Sequence, residues 1–393
     1  MSGLAQLAAL LWRYGPTNAT DAYFYLFNLG NLPIQIFIVG VLYPMMLSAD
    51  RVTRRGAKRF GRLVPLGALA AVAAGAGWLW VQGRVTPTLI PVLVLASLNA
   101  LLQARLWFRA VSAEAEGSPQ WVAAVALPAN ALATLVLLAP WPSSDVTVTA
   151  MMAALCLANA AFIALMAKKS VGREALRRLP SRPERRHAAH WWFLTKSFVS
   201  YGGLMVVQSL ALILPPAVLT LLSLPMKIVG SVSATFVNAI MPRLVHQNTD
   251  SPAAARKFLR QLAALIGGVA IAGSIGGYLA FPQYFTTVVI VALWLVASAS
   301  SSVAQRMTFR FLPPSASRVT IVVVPVIVVA VALSTQSGGF GLVALLCAYA
   351  LVDASSSFLL LLSLGDKLMA WVSGLITLGL SGIWIGSLLS NSP

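Results

Sequence analysis

Crossing a bilayer as a helix takes about 20 consecutive apolar residues. This chain offers twelve such runs, near residues 22–47, 63–81, 88–110, 121–140, 146–167, 191–213, 216–242, 261–281, 286–305, 317–334, 341–363 and 368–389. The runs are continuous rather than alternating, so they read as helices and not as barrel strands, and only helices satisfy every backbone group within one segment in lipid. They absorb most of the 393 residues, of which 59% are hydrophobic and 10% charged, and so exclude large soluble domains. The fold class expected is an all-α polytopic membrane protein of about twelve transmembrane helices.

The charges test that count. Twenty-eight Lys and Arg against ten Asp and Glu give +18, which in a soluble protein would suggest nucleic acid. If alternate loops are cytoplasmic, one side collects 24 of the 28 cations, among them Arg51 to Arg62, Arg105, Arg109, Arg243, Arg256 to Arg260 and the whole loop 168–190. That one-sidedness is the positive-inside bias, so no nucleic-acid partner is needed, and the basic loops are expected on the cytoplasmic face of a cell membrane. Arg13 and Arg84 fall outside the set, and Lys196 and Lys227 lie within spans. Residues 3–14 are apolar, but as a helix they reach only about 18 Å, too short to cross. They read as a helical stub, either the tail of a further helix or an interfacial segment, and not as a cleaved signal peptide, because no basic stretch precedes them.

The segment 168–190, basic and containing Pro180 and Pro183, divides the chain into an N-terminal bundle, 1–167, and a C-terminal bundle, 191–393. The span 22–47 contains Leu32-Pro33-Ile34-Gln35 and ends at Pro44; the span 216–242 contains Leu224-Pro225-Met226-Lys227 and ends at Pro242. Each half thus sets a polar side chain two residues after a proline that removes a helical hydrogen bond, as expected of a parallel repeat with broken helices at a transport site.

Candidate residues follow from the cost of polarity in lipid. Asp353 lies mid-span, where it reads either as a carboxyl hydrogen-bonded to Ser355, Ser356 or a neighbouring helix, or as a proton or cation coupling site. Lys227 is placed to attract an anionic headgroup, with snorkelling or pairing with Asp353 as alternatives; Lys196, near a cytoplasmic end, snorkels. Asp21 opens a span beside Tyr23, Phe24, Tyr25 and Phe27, where it serves either as a helix N-terminal charge or as a coupling group. Gln35 and Gln208 complete the cavity candidates. Gly267, Gly268, Gly273, Gly276 and Gly277 read as packing residues. No P-loop and no His-Glu-x-x-His occurs, His187, His190 and His246 fall in or beside loops, and Cys156 and Cys347 sit in separate apolar runs. No cofactor, no metal and no enzyme is expected.

Tyr14-Gly15, Asp21-Ala22-Tyr23-Phe24, Asn31-Leu32 and Phe37, with Leu224-Pro225, Ile228, Gly230 and Pro242-Arg243-Leu244, resemble lipid II flippases within the multidrug, oligosaccharidyl-lipid and polysaccharide exporter superfamily. The resemblance implies two six-helix bundles related by pseudo-twofold symmetry around a cavity that opens alternately inward and outward. The stub at 3–14 then corresponds to the tail of the family's first helix. It implies a lipid-linked saccharide or peptidoglycan precursor as substrate, moved among membrane lipids with a proton or sodium ion as possible coupling partner. Where those flippases carry an arginine pair in the second helix, Ile34 and Gln35 stand; an Arg-Asp pair of the first helix maps to Gln6 and Leu7. Only Asp21 is kept, Lys227 replaces a small residue, and the connection at 213–220 is short. These departures mark a divergent member. The rival readings are a non-transporting scaffold of a glycan-assembly complex and a multidrug or small-solute exporter.

Overall fold

The computed structural model describes residues 2–42, 54–118, 120–172, 194–246, 252–280, 282–311, 314–336 and 340–390. Among them there is no strand, and nine helices are long and apolar enough to cross a membrane, from Asn18–Leu42 to Lys367–Ser390. They form two compact units, Met1–Thr220 and Leu221–Pro393, whose boundary falls inside one helix. Most of the basic segment expected to separate two bundles lies outside the described residues.

The first unit holds α1 (Ser2–Tyr14), α2 (Asn18–Pro33), α3 (Arg54–Val81), α4 (Ile90–Ala115), α5 (Gln120–Ala124), α6 (Leu127–Val136), α7 (Ser144–Lys168) and α8 (Gly203–Ala211). Helix α2 is its central element. Thr17 caps it and exchanges hydrogen bonds with Thr20 in a capping box, which satisfies donors that the first turn leaves open. Leu26, Leu29, Gly30 and Pro33 form its packing face, buried against α3 and α4. A Cβ on Gly30 would meet Ala100 and Val72, and one on Gly75 would overlap Leu29. Lipid tails are as apolar as leucine, so helices associate in a membrane through close van der Waals contact, and the small residues make that contact here.

Pro33 has no N–H to bond back along the helix, and from Ile34 to Leu42 the chain widens into π-helix. A second π-helical turn, Phe198–Gly202, precedes α8. The two segments touch: Gly40 lies against Ser197, and any Cβ at Gly40 would overlap that side chain. Ile34, Ile38, Val41 and Leu42 are wholly enclosed, packing with Ala57, Val64, Ala104 and Val111.

One expected span is corrected. The run at 121–140 is two short helices, α5 and α6, because Pro128 interrupts the hydrogen-bond ladder at the start of α6. The span at 317–334 likewise begins as a 3-10 stretch, Pro314–Ile321.

The second unit holds α9 (Val218–His246, beginning within the first), α10 (Pro252–Ala280), α11 (Phe285–Phe311), α12 (Val323–Gln336), α13 (Leu342–Ser363) and α14 (Lys367–Ser390). Helix α13 is its core, with 67% of its apolar window buried against 17% for the peripheral α10. It packs on α11 and α14, and a buried Ser357–Ser373 hydrogen bond of 3.0 Å joins it to α14.

Candidate functional site

At one end of the first unit, the end that the charge reading expects outside, a buried carboxylate gathers three pieces of chain. Asp21 is 1% exposed. Its Oδ2 accepts from Arg84 Nη1 at 3.3 Å and from the backbone N–H of Ala217 at 2.7 Å. Its Oδ1 accepts from the N–H of Thr220 at 2.8 Å and from the Thr220 hydroxyl at 2.5 Å. The Thr220 hydroxyl also lies 2.9 Å from that of Thr20, and Arg84 Nη2 donates to the Leu214 carbonyl.

Ala217 and Thr220 stand at the start of α9, so Asp21 caps a helix about 200 residues away in the chain, supplying negative charge and acceptors where its first-turn N–H groups lack partners. Ala217 has φ 89°, in the left-handed region that costs a residue with a Cβ about 1 kcal/mol or more, and its bond to Asp21 helps hold it there. Asp21 stands in the first turn of its own helix, as the sequence reading expects, and its carboxylate is at the same time spent on the start of α9.

Arg84 has no role in the sequence reading beyond breaking the charge rule, and that exception is the signal that would have found it. Arg13, the other exception, is also engaged: its Nη1 donates to the carbonyls of Leu137 at 2.6 Å and Ala139 at 2.5 Å, just past the end of α6. Both exceptions to the charge rule thus donate to carbonyls beyond helix ends, where positive charge is favoured.

Below the Asp21 cluster, the side of α2 opposite its packing face is polar. Asn28, Asn31 and Gln35 follow at three- and four-residue steps and are all half-buried. Asn28 Nδ2 donates to Gln208 Oε1 of α8 at 3.2 Å, and Asn31 Nδ2 donates to the Phe27 carbonyl at 2.9 Å. Beside them, Tyr25 and Ser209 hydroxyls lie 2.9 Å apart, and Trp78 Nε1 donates to the Ser209 carbonyl at 3.1 Å. The structure therefore joins three candidates in one unit: Asp21 on α2 and Gln35 on the π-helical segment that continues it lie on one side of the span, and Gln208 meets it through Asn28. Sequence reasoning did not single out Asn28 or Ser209, because their partners lie some 180 residues away in the chain.

The remaining candidates are placed as follows. Lys196 is half-buried immediately before the second π-helical turn, next to the Ser197 that meets Gly40. Lys227 is half-buried on α9 within the second unit, two residues after Pro225. Asp353, also in the second unit, lies on α13 and accepts from Trp294 Nε1 of α11 at 2.9 Å and from the Ser298 hydroxyl. Its partners are on a neighbouring helix rather than the serines of its own. Ile34, at one of the places where the resembled family carries arginine, is fully enclosed in the apolar core of the first unit.

No family model and no curated protein matches this sequence. Its shape does have counterparts. The lipid II flippase MurJ in an inward closed conformation matches at TM-score 0.56 with 13% identity, over 100% of this chain and 96% of that one. A mutant of the Vibrio cholerae MATE transporter VcmN matches at TM-score 0.43 with 16% identity, over 93% of this chain and 98% of that one. That likeness shows an all-helical, multi-pass membrane fold.

Proposed function

We propose that this chain is a flippase that moves a polyprenyl-pyrophosphate-linked saccharide, such as a peptidoglycan or polysaccharide precursor, from the cytoplasmic to the outer leaflet by alternating access. The observation that carries the reading is the polar side of α2, where Asn28, Asn31 and Gln35 line a membrane-spanning helix away from its packing face. Polar groups buried in hydrocarbon without partners cost several kcal/mol each, so such a side is kept where it meets water or a polar cargo. A full-length likeness in shape to a lipid II flippase supports the same reading.

In this mechanism the polar headgroup leaves water for a hydrated path while its polyprenyl tail stays among the lipids. Gln35, Gln208 and Lys196 of the first unit contact the headgroup. Asp21, with Arg84 and the start of α9, ties the outer end shut in one state of the cycle, and its release opens that end. Asp353 couples the cycle to a proton or sodium ion. One charge moved through 100 mV supplies about 2.3 kcal/mol, enough to bias such a switch.

The enclosure of Ile34 in apolar core favours a second reading, a membrane scaffold of a glycan-assembly complex without transport of its own, since a pyrophosphate-gripping cation is absent there. Purified protein in liposomes separates the two. Labelled lipid-linked oligosaccharide should pass to the opposite leaflet, and so gain protection from a reagent added outside, much faster with the protein than in empty vesicles. Equal rates across a panel of lipid-linked saccharides would reject the flippase.

A further inference from the structure

The hydrogen bonds already made on the polar side of α2 leave a particular set of groups for a ligand. Asn31 gives its Nδ2 to a backbone carbonyl, which can only accept, so the orientation of that carboxamide is fixed and its Oδ1 points onward. Asn28 gives its Nδ2 to Oε1 of the Gln208 carboxamide. Among the described residues no hydrogen bond reaches Asn28 Oδ1, Asn31 Oδ1 or either end of the Gln35 carboxamide. What remains is a mixed row of donors and acceptors: each asparagine keeps its carbonyl oxygen and the second N–H of its amide, and Gln35 keeps both ends of its carboxamide, spread over about two helical turns.

Such a row discriminates. An ionised phosphate has only acceptor oxygens, so it would leave the carbonyl oxygens of the row without donors and would find no cation there to offset its charge. A sugar hydroxyl donates and accepts at once, and neighbouring hydroxyls match the donor and acceptor of a carboxamide. No charged side chain on this side of α2 lies between Asp21, which is fully engaged, and Gln35. We propose that Asn28, Asn31 and Gln35 form a saccharide subsite that recognises the hydroxyl groups of the cargo rather than its phosphate. This rests on the flippase reading and specifies which part of the cargo the first unit holds.

The experiment uses the full chain in liposomes and three ligands: polyprenyl-pyrophosphate-linked oligosaccharide, polyprenyl pyrophosphate without sugar, and the free oligosaccharide. The glycosylated lipid should be moved, the sugarless lipid should neither move at a comparable rate nor compete, and the free oligosaccharide should compete at high concentration. Asn31→Leu and Gln35→Leu should each lower the rate for the glycosylated lipid about tenfold or more, because removing a polar contact leaves hydroxyls unpaired. Their unfolding temperatures should stay near that of the wild type. If either variant fails to fold, the ligand competition on the wild-type chain decides alone. Transport of the sugarless lipid as fast as the glycosylated one, or wild-type rates in both leucine variants, would overturn the subsite while leaving the flippase standing. Transport of neither lipid would remove both.

Discussion

A single carboxylate organises one end of the first unit. Asp21 is buried and takes four donors, one of them a guanidinium. Removing one partner of a buried hydrogen-bonded ion pair strands the other, at a cost of about 3–5 kcal/mol. Asp21→Asn and Arg84→Gln should each lower the stability of the detergent-solubilised protein by roughly that much, and the double variant by much less than the sum, since both changes break one interaction. Chemical unfolding of the four proteins measures this, and simple additivity would contradict the pairing. At Ala217, with φ 89°, glycine adopts the left-handed conformation without strain, so Ala217→Gly should stabilise the protein by about 1 kcal/mol in the same assay. Asp21 was visible in the sequence as an acid at a span start. Its partners were not, because capping across 196 and 199 residues leaves no local pattern. The charge rule did mark Arg84, as a cation on the wrong side.

Prolines set the character of the helices. Pro33 converts the second part of a continuous run into π-helix, and Pro128 splits another run into α5 and α6. The first break was legible from the chemistry of proline. The second followed from the same chemistry but was hidden by an apolar composition that reads as one span. Neither π-segment was legible, since widening a helix changes no residue type. Their contact rests on Gly40, whose missing side chain makes room for Ser197. Gly40→Val should cost about 1–3 kcal/mol by overpacking, whereas Gly77→Val, in the same unit with nothing within 4 Å of its Cβ position, should cost under about 1 kcal/mol. Thermal unfolding of the two variants side by side checks the contrast. Equal losses would show that the π-segments do not approach as closely as described.

For the molecule as a whole, the helical, membrane-spanning kind of its segments was written in the apolar runs, because the bilayer fixes helix length, although among the described residues nine helices rather than twelve are long and apolar enough to cross. The polar side of α2 was only half legible. Gln35 stood out beside a proline, but Asn28 and Asn31 gained meaning only once Gly30 and Gly75 fixed which side of the helix packs. The central claim is that this polar side meets water in the membrane. The test is the reaction of single introduced cysteines with a small, charged, water-soluble thiol reagent, in a background where buried Cys156 and Cys347 are replaced by alanine. Asn31→Cys and Gln35→Cys should be labelled readily, and Leu98→Cys, on the exposed apolar surface of α4, should not. Labelling at 31 and 35 as slow as at 98 would contradict the hydrated path, and with it the flippase.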